Sequence, residues 1–404
     1  MVPLCLWHRA FRLTLVNMKA SGFGFFLLIL FAGCLQKNDA PTNLELAFFV
    51  NDSTRAVFPI SLQHDAILLQ NGGEELLLKA INDTTYLVPV FGGSWNLDSQ
   101  RSVGFWTDSL RSSSYRVDFQ VQPQTILSNR GEVPQGTWNV WFGATDTQEP
   151  AEAQLDLKME ANKLVGTFRT HTGDYRFFSG TCANGSLQMQ TYDGAHLYRI
   201  EAEFSGDAWI NGSFYSGNHY HTTWSALPAA VWASDHTVQF VQATDEDLLV
   251  PALGTHGQDT LVSLLPDANE VVIVDILGTW CPNCMDEVRC LKELKSKYPN
   301  TRIISMAYER DTIPENVSRR LEFYKSQLGI DWDLHWGGRS RKTAAASAFP
   351  FLNEVISFPT TLFIHPNRTI AIHSGFNGPA TGDNYNEERL LFERLVSTSP
   401  TTTP

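Results

Sequence analysis

Two cysteines with the spacing of a redox pair, Cys281 and Cys284, carry the clearest chemistry in the sequence. At the start of a helix, a separation of three positions brings the sulfur atoms within bonding distance. We expect Cys281 to be the N-cap residue and Pro282 the first helical residue, where a missing amide hydrogen costs nothing. The unpaired amides of the first turn and the helix dipole then favour a thiolate on Cys281. The pattern therefore predicts Cys281 as the nucleophile and Cys284 as the resolving thiol.

The elements predicted around this pair alternate between strand and helix. An apolar run at residues 271–277 is typical of a central strand buried on both faces, and a helical stripe follows at residues 282–298. Later patterns predict a strand at 302–307, a helix at 314–328, a strand pair at 361–365 and 369–373, and a helix at 386–396. This order predicts an α/β region with a mixed sheet at residues 245–397, before a disordered tail at 398–404.

Three separated motifs resemble those of a known family. They are Val274-Asp275 on the predicted strand, GTWCPNC at residues 278–284, and SFPTTLFI at residues 357–364. Over residues 246–397 the sequence resembles the thioredoxin-like proteins, and among them the TlpA-like extracytoplasmic thiol-disulfide oxidoreductases. The resemblance implies a thioredoxin fold, no cofactor beyond the cysteine pair, and substrate proteins that carry disulfides or thiols.

The resemblance also implies how a substrate is held. In the family, the proline before the late strand follows a cis peptide bond and lies against the cysteine pair, and Phe358-Pro359 matches that position. Proline makes a cis bond accessible, and such a turn presents backbone to an incoming chain. We expect Trp280, next to the nucleophile, to complete the substrate-binding surface, although packing alone would also explain it.

Two acids compete for the role of proton relay. Asp275 lies six residues before Cys281 and matches the buried acid that accepts a proton from the resolving thiol in thioredoxins. Glu287 matches the acid of the family pattern Cys-x-x-Cys-x-x-Glu-x-Pro, which is broken here because Arg289 replaces the proline. Alternatively, Asp275 pairs with a lysine, and Glu287 is a solvent-facing residue favoured by the helix dipole.

The remaining cysteines and histidines allow other interpretations. The cysteine pair could be half of a zinc site, but a second ligand pair at metal-like spacing is missing from the sequence. We interpret Cys290 as a buried inert thiol, with a disulfide to Cys182 as the alternative. His219 and His221 share one predicted strand face, which suits a metal, but a solvated face is the simpler interpretation, and we predict no metal site.

Residues 44–244 are predicted to form a β-rich domain, with strands almost throughout residues 44–226. Alternating or β-rich runs recur about every 8 to 12 residues, with turns such as Asn184-Gly185 and Asp193-Gly194 between them. This pattern indicates an all-β region, either an antiparallel sandwich or a barrel. A cluster of proline and glycine at residues 122–136 suggests a division into two modules.

The first 33 residues resemble a bacterial lipoprotein signal. Lys19 precedes an apolar run of eleven residues, 22–32, which is too short for a helix to span a bilayer. The small residues Ala32 and Gly33 stand before Cys34, where such a signal is cut and the cysteine is acylated. We expect a lipid anchor on Cys34, a polar leader at residues 34–43, and a location in the cell envelope facing the periplasm.

Composition and charge narrow the function. In 404 residues, 30 Lys and Arg against 43 Asp and Glu give a net charge of −13, which argues against nucleic acid as a partner. The sequence predicts a membrane-anchored protein disulfide reductase that receives electrons from a membrane donor, with the reductive direction implied by the resemblance. Two alternatives stay open: a thiol peroxidase, for which Thr279 gives slight support, and a lipoprotein whose β-rich half binds a glycan or a peptide.

Overall fold

The β-rich part begins with a closed barrel. The computed structural model describes residues 43–125, 128–143, 149–229, 238–254 and 259–397. Eight antiparallel strands form this first barrel: β1 (Leu44–Phe49), β2 (Arg55–Leu62), β3 (Ala66–Asn71), β4 (Glu74–Ala80), β5 (Thr85–Leu87), β6 (Ser94–Leu97), β7 (Val103–Thr107) and β8 (Arg116–Pro123). Pairing of β8 with β1 closes the ring. Buried and less buried residues alternate along β2, so one face of the strand fills the barrel interior.

A second antiparallel sheet follows and also closes. Its strands are β9 (Gly136–Phe142), β10 (Ala153–Glu160), β11 (Lys163–Thr170), β12 (Gly173–Asp174), β13 (Phe178–Ala183), β14 (Ser186–Tyr192), β15 (Leu197–Ser205), β16 (Ala208–Ser216) and β17 (Tyr220–Pro228). Pairing of β10 with both β9 and β11 completes a ring, and the short β12 lies beside β11. Of the two architectures expected from the sequence, the barrel is confirmed, and it occurs twice.

The two barrels share core residues. Tyr192, at the end of β14 in the second barrel, is fully buried in the core of the first. Its hydroxyl accepts a hydrogen bond from Trp95 Nε1 at 2.9 Å, and its ring packs edge to face on Trp106 at 5.0 Å. Because a buried hydroxyl without a partner is costly, this bond favours one relative placement of the two barrels.

The third sheet is mixed and carries the helices. It contains β18 (Gln239–Gln242), β19 (Leu249–Leu253), β20 (Asp259–Ser263), β21 (Val271–Leu277), β22 (Thr301–Glu309), β23 (Asp333–Arg339), β24 (Thr360–Ile364) and β25 (Thr369–Ser374). The helices are α1 (Pro282–Lys297), α2 (Pro314–Leu328), α3 (Lys342–Ser347) and α4 (Asp383–Ser397), with a 3₁₀ turn at Pro379–Thr381. Among the described residues, no helix is both long enough and apolar enough to span a membrane.

The order of strands places β21 at the centre of this sheet. The order is β18-β25-β24-β21-β22-β23-β19-β20, with β21 parallel to β22 and antiparallel to β24. The mixed sheet is thus confirmed, and the helices and strands predicted after residue 271 are present, with ends within about three residues. Strands β18, β19, β20 and β23 and helix α3 were not predicted, and β18 precedes the expected boundary at residue 245.

Candidate functional site

Helix α1 begins at the cysteine pair. Cys281 is its N-cap with an extended backbone, Pro282 is the first helical residue, and the Cys284 amide donates to Cys281 Sγ at 3.2 Å. The two cysteines form a disulfide with Cα atoms 5.3 Å apart, so the structure shows the oxidised pair. Since the amide already points at the Cys281 sulfur, it stabilises the thiolate that reduction would leave there.

A tight turn between β21 and α1 positions the cysteine pair. A Cβ atom at Gly278 would lie 2.5 Å from the ring of Trp280, so a side chain at this position would displace the tryptophan. The half-buried Trp280 ring is fixed by its Nε1, which donates to Tyr308 O at 3.0 Å, and by Arg310, whose guanidinium lies 4.4 Å from the ring centroid. The turn therefore holds an aromatic surface directly beside Cys281.

The Thr279 hydroxyl is fully engaged in hydrogen bonds to neighbouring side chains. Its amide and its hydroxyl both donate to Glu309, each at 2.9 Å, and Arg320 Nε donates to the same hydroxyl at 2.8 Å. A thiol peroxidase would need such a hydroxyl at the reacting sulfur. Because the Thr279 hydroxyl donates its hydrogen bond to Glu309, it gives the thiol peroxidase alternative no support.

Phe358 and Pro359 lie against the cysteine pair. Their peptide bond is cis, and Phe358 O lies 3.4 Å from Cys281 Sγ. The Phe358 ring packs edge to face on Trp280, with centroids 5.8 Å apart. The three residues expected to bind substrate, Trp280, Phe358 and Pro359, are therefore brought together around the predicted nucleophile.

Asp275 is a fully buried carboxyl in the central strand β21. Its Oδ2 accepts a hydrogen bond from Ser305 Oγ at 3.1 Å, and Oδ1 has no partner among the described residues. Trp332 Nε1 donates to Ser305 Oγ at 2.9 Å, which leaves the serine proton for Asp275. Burial raises the pKa of Asp275 from 3.8 to about 7. The partner of this acid is Ser305, so the alternative of a lysine ion pair is wrong.

Glu287 is also completely buried, and the solvent-facing alternative for it is wrong. Thr361 Oγ1 donates to its Oε1 at 2.5 Å, and Oε2 has no partner among the described residues. Thr361 is the cross-strand partner of Asp275, so this threonine links Glu287 on α1 to the strand pair beneath it. Burial and then the negative charge of Asp275 raise the pKa of Glu287 well above its usual 4.5.

The two carboxyl groups act as one unit at the base of the cysteine helix. Because each is desolvated and the charge of Asp275 opposes ionisation of Glu287, they cannot both be ionised at neutral pH without a large cost. Glu287 lies one helical turn beyond Cys284 and on the same face of α1. This arrangement can hold, release and take back one proton near Cys284.

The second barrel forms one wall of the site. A cavity of about 180 Å³, which we call the dithiol pocket, is lined on one side by Trp280, Cys281, Pro282, Asn283 and Phe358. Its other side is formed by residues 170–176 of the second barrel, the capping segment, together with Asp193, His196 and Tyr198. Cys281 is only 6% exposed. A molecule that reacts with Cys281 must therefore pass the capping segment.

Several contacts fix the capping segment over the cysteine helix. Buried Arg176 forms ion pairs with Asp286 of α1 and with Glu74 of the first barrel. Asp174 Oδ1 accepts a hydrogen bond from the Gly378 amide at 2.6 Å. Gly173 forms a β-bridge with Phe376, whose carbonyl also accepts from Asn283 Nδ2 at 3.0 Å. These partners are 93 to 204 positions apart in sequence, so no local pattern could have revealed them.

The other cysteines and histidines lie away from the pair. Cys182 on β13 and Cys290 on α1 are both buried free thiols, so the alternative disulfide between them is not formed. Burial is the main cause that raises the pKa of each thiol. His219 lies beside Arg111, at 3.4 Å, and His221 packs on the Tyr215 ring. The described residues contain no cluster of three His, Cys, Asp or Glu side chains that could hold a metal.

Comparisons with known proteins give partial matches. No protein-family model matches the chain, and no curated protein matches it. Among solved structures, the chain is similar to dsbF of MTB, with a sequence identity of 16% and a TM-score of 0.27. The match covers 37% of this chain and 95% of dsbF. The chain is also similar to a secreted Mycobacterium tuberculosis disulfide oxidoreductase, with a sequence identity of 14% and a TM-score of 0.28. That match covers 38% of this chain and 98% of the oxidoreductase. A thiol:disulfide interchange protein of the thioredoxin family from Chlorobium tepidum has a sequence identity of 16% and a TM-score of 0.26. The match covers 39% of this chain and 97% of that protein.

Proposed function

We propose that this protein is a thiol-disulfide oxidoreductase of the TlpA-like group, with a thioredoxin fold at residues 245–397, and that it reduces disulfides in other proteins. One observation carries the proposal: the Cys281–Cys284 disulfide lies at a helix start, against the cis Phe358-Pro359 turn. A zinc half-site would not need the buried carboxyl groups of Asp275 and Glu287 beneath the cysteines, whereas a resolving thiol that must lose a proton would use them.

The first step is attack on the substrate disulfide by the reduced protein. The Cys281 thiolate forms a bond to one substrate sulfur while the substrate disulfide breaks, and the second substrate sulfur leaves as a thiolate. The Cys284 amide, which donates to Cys281 Sγ at 3.2 Å, stabilises the attacking thiolate before this step. The product is a mixed disulfide between Cys281 and the substrate.

The second step releases the substrate. Cys284 loses its proton to the carboxyl unit of Asp275 and Glu287, and its thiolate attacks Cys281 Sγ. The mixed disulfide breaks, the first substrate sulfur leaves as a thiolate, and the Cys281–Cys284 disulfide forms. Two electrons have then passed to the substrate, and an external donor must return two electrons to the pair before the next cycle.

The shape of the site supports an extended segment as the part of the substrate that reacts. Cys281 is nearly buried, and the dithiol pocket of about 180 Å³ between Phe358 and the capping segment has room for a disulfide with little around it. A flat protein surface could not bring a disulfide to this depth. A loop or an unfolded stretch could enter this pocket and lie against the partly exposed Phe358.

Anchoring and location complete the proposal. The predicted signal at residues 1–33, the predicted lipid anchor at Cys34 and the leader up to residue 42 lie outside the described residues, as does the tail at residues 398–404, so these predictions rest on sequence alone. We propose a lipid-anchored protein that faces the periplasm, where a membrane electron donor reduces the Cys281–Cys284 disulfide after each cycle. The Cys34→Ser variant should move from the membrane to the soluble fraction, and an unmodified, soluble wild-type protein would contradict the anchor.

A reductase assay tests the function. The purified protein should catalyse reduction of insulin disulfides by dithiothreitol, and Cys281→Ser should abolish the activity. Cys290→Ser serves as the matched control, because Cys290 is a free thiol on the same helix and should leave the rate unchanged. The proposal would be contradicted if insulin disulfides were reduced no faster with the wild-type protein and dithiothreitol than with dithiothreitol alone.

One observation favours a ligand-binding role for the β-rich half as a second function. A cleft of about 410 Å³ is lined by polar side chains of both barrels, including Arg55, Gln70, Gln188, Gln190 and Arg199. Such a lining of amide and guanidinium groups suits a glycan or a peptide backbone. Isothermal titration with oligosaccharides and peptides tests this role, and Gln188→Ala should weaken binding of a true ligand.

A further inference from the structure

A histidine of the second barrel lies in the dithiol pocket. His196 lines this pocket together with Cys281, and it also lines a small adjoining cavity with Trp280. Its side chain is 24% exposed, so it can exchange protons with water. None of the steps derived above uses it. A titratable group beside a reacting sulfur is placed to take part in proton transfer.

A buried aspartate orients this imidazole. Asp193 Oδ1 accepts hydrogen bonds from the backbone amides of Ala195 at 2.8 Å and His196 at 2.6 Å. Its Oδ2 lies 3.3 Å from His196 Nδ1, and the imidazole stacks on the Tyr198 ring with centroids 5.2 Å apart. Because Asp193 engages Nδ1, Nε2 is the nitrogen left for proton exchange, and the described residues give Nε2 no hydrogen bond.

The charges around this pair keep Asp193 ionised. Burial would raise the pKa of Asp193, but His196 and Arg176 outweigh it, and the pKa of Asp193 is lowered. Other charged or titratable groups that act on the pair are Asp108, Arg111, His219, Tyr192 and Tyr198. An ionised Asp193 can accept a hydrogen bond from Nδ1–H and so holds the imidazole in one orientation.

The geometry of disulfide exchange brings the leaving sulfur towards His196. In thiolate attack on a disulfide, the attacking, central and leaving sulfur atoms lie roughly in a line. Cys281 forms one wall of the dithiol pocket, and the second barrel forms the other. The leaving sulfur therefore points away from Cys281, into the wall that contains His196.

We propose that His196 is a catalytic acid that protonates the leaving thiolate of the substrate, and that Asp193 is its positioning residue. This inference rests on the proposed function. As the Cys281–substrate bond forms, the substrate disulfide breaks and its bonding electron pair goes to the leaving sulfur. That sulfur takes the proton from Nε2, and the N–H electron pair stays on the imidazole. The neutral imidazole then regains a proton from water. The second barrel thus completes the active site.

Two small disulfides that differ in their leaving thiol test this role. Hydroxyethyl disulfide releases an ordinary alkyl thiolate that needs a proton, whereas an aromatic nitrobenzoate disulfide releases a thiolate that is stable at neutral pH. Single-turnover rates with chemically reduced protein, followed by tryptophan fluorescence, report the first step alone. His196→Gln should slow the alkyl reaction about tenfold to a hundredfold and change the aromatic reaction by less than about twofold.

Control variants separate catalysis from structure. His221→Gln changes an exposed histidine of the same barrel that packs on Tyr215, and it should leave both rates unchanged. Asp193→Asn should lower the alkyl rate and alter its pH profile, because the variant lacks the carboxylate that holds Nδ1 of His196. Circular dichroism spectra should show that each variant retains the wild-type fold.

The outcomes distinguish this inference from the proposed function. If His196→Gln slows only the reaction with the alkyl disulfide, the result supports His196 as the catalytic acid. Equal slowing of both disulfides, or no slowing, would overturn it while leaving the thiol-disulfide activity intact. Wild-type protein that reacts with neither disulfide would overturn the proposed function and this inference with it.

Discussion

Replacing Asp275 with asparagine should stabilise the protein at alkaline pH relative to acidic pH. Asp275 is fully buried in β21, and a single hydrogen bond from Ser305 is not enough to offset the loss of water around its charge. Asparagine has nearly the same shape and cannot ionise. The effect of the substitution on the free energy of unfolding must therefore depend on pH.

The size and sign of the effect follow from the raised pKa. In the unfolded chain Asp275 titrates near 3.8, and in the folded protein burial raises the pKa to about 7. Between these values the folded state holds the proton and the unfolded state does not, so stability is lost as pH rises. About three pH units at about 1.4 kcal/mol each give a loss of about 4 kcal/mol, which the Asp275→Asn variant does not undergo.

Urea unfolding at pH 4 and pH 8 measures this difference. Any cost of an unpartnered asparagine nitrogen is the same at both pH values, so it cancels when the two are compared. The change in free energy of unfolding caused by Asp275→Asn should be about 4 kcal/mol more favourable at pH 8 than at pH 4. The exposed Asp333→Asn on β23 is the matched control and should show no such difference.

Equal effects of Asp275→Asn at the two pH values would refute this reasoning. So would a variant that is more destabilised at pH 8 than at pH 4, because the carboxyl would then be stabilised in its ionised form. Either result would also remove the argument that Asp275 can accept a proton near neutrality.

Three further predictions concern the cysteine pair and its surroundings. Iodoacetamide should alkylate reduced Cys281 before Cys284, and peptide mass spectrometry showing the reverse order would contradict the assignment of nucleophile and resolving thiol. In stopped-flow fluorescence, Asp275→Asn should slow resolution of the mixed disulfide more than Glu287→Gln, because the negative charge of Asp275 raises the pKa of Glu287 and so favours its protonated form; the opposite ranking would exchange their roles. Arg176→Gln should cost about 3 kcal/mol of stability and speed alkylation of Cys281, since buried Asp286 and partly buried Glu74 each lose an ion pair and the capping segment loosens; unchanged urea and alkylation curves would contradict this.

The elements that carry the cysteine pair could be predicted because their signals are local. The run at Val271–Leu277 is apolar at six of seven positions, and Pro282 marks the start of a helix with its apolar stripe intact. Strand β23 was missed because its sequence, DLHWGGR, contains two glycines and little apolar character. Its place in the sheet comes from parallel pairing with β22, which a local pattern does not reveal.

The contribution of the second barrel to the site could not be predicted. Residues Asp193 and Gly194 indicated a hairpin turn, and the turn is present, but its position over Cys281 depends on contacts between distant segments. Arg176 meets acids 102 residues before it and 110 residues after it. Such long-range ion pairs leave no periodicity in the sequence. Burial of Glu287 was likewise uncertain, because a glutamate in the first turns of a helix is usually exposed.

Trapping the mixed disulfide tests the central claim most directly. In the Cys284→Ala variant the resolving thiol is absent, so a substrate that reacts with Cys281 should stay attached to it. After expression in cells, non-reducing gels should show higher-mass adducts that dithiothreitol releases, and peptide mapping should place the bond at Cys281. The double variant Cys281→Ser, Cys284→Ala should form none. Adducts at Cys182 or Cys290 instead, or no adducts in the single variant, would contradict the account.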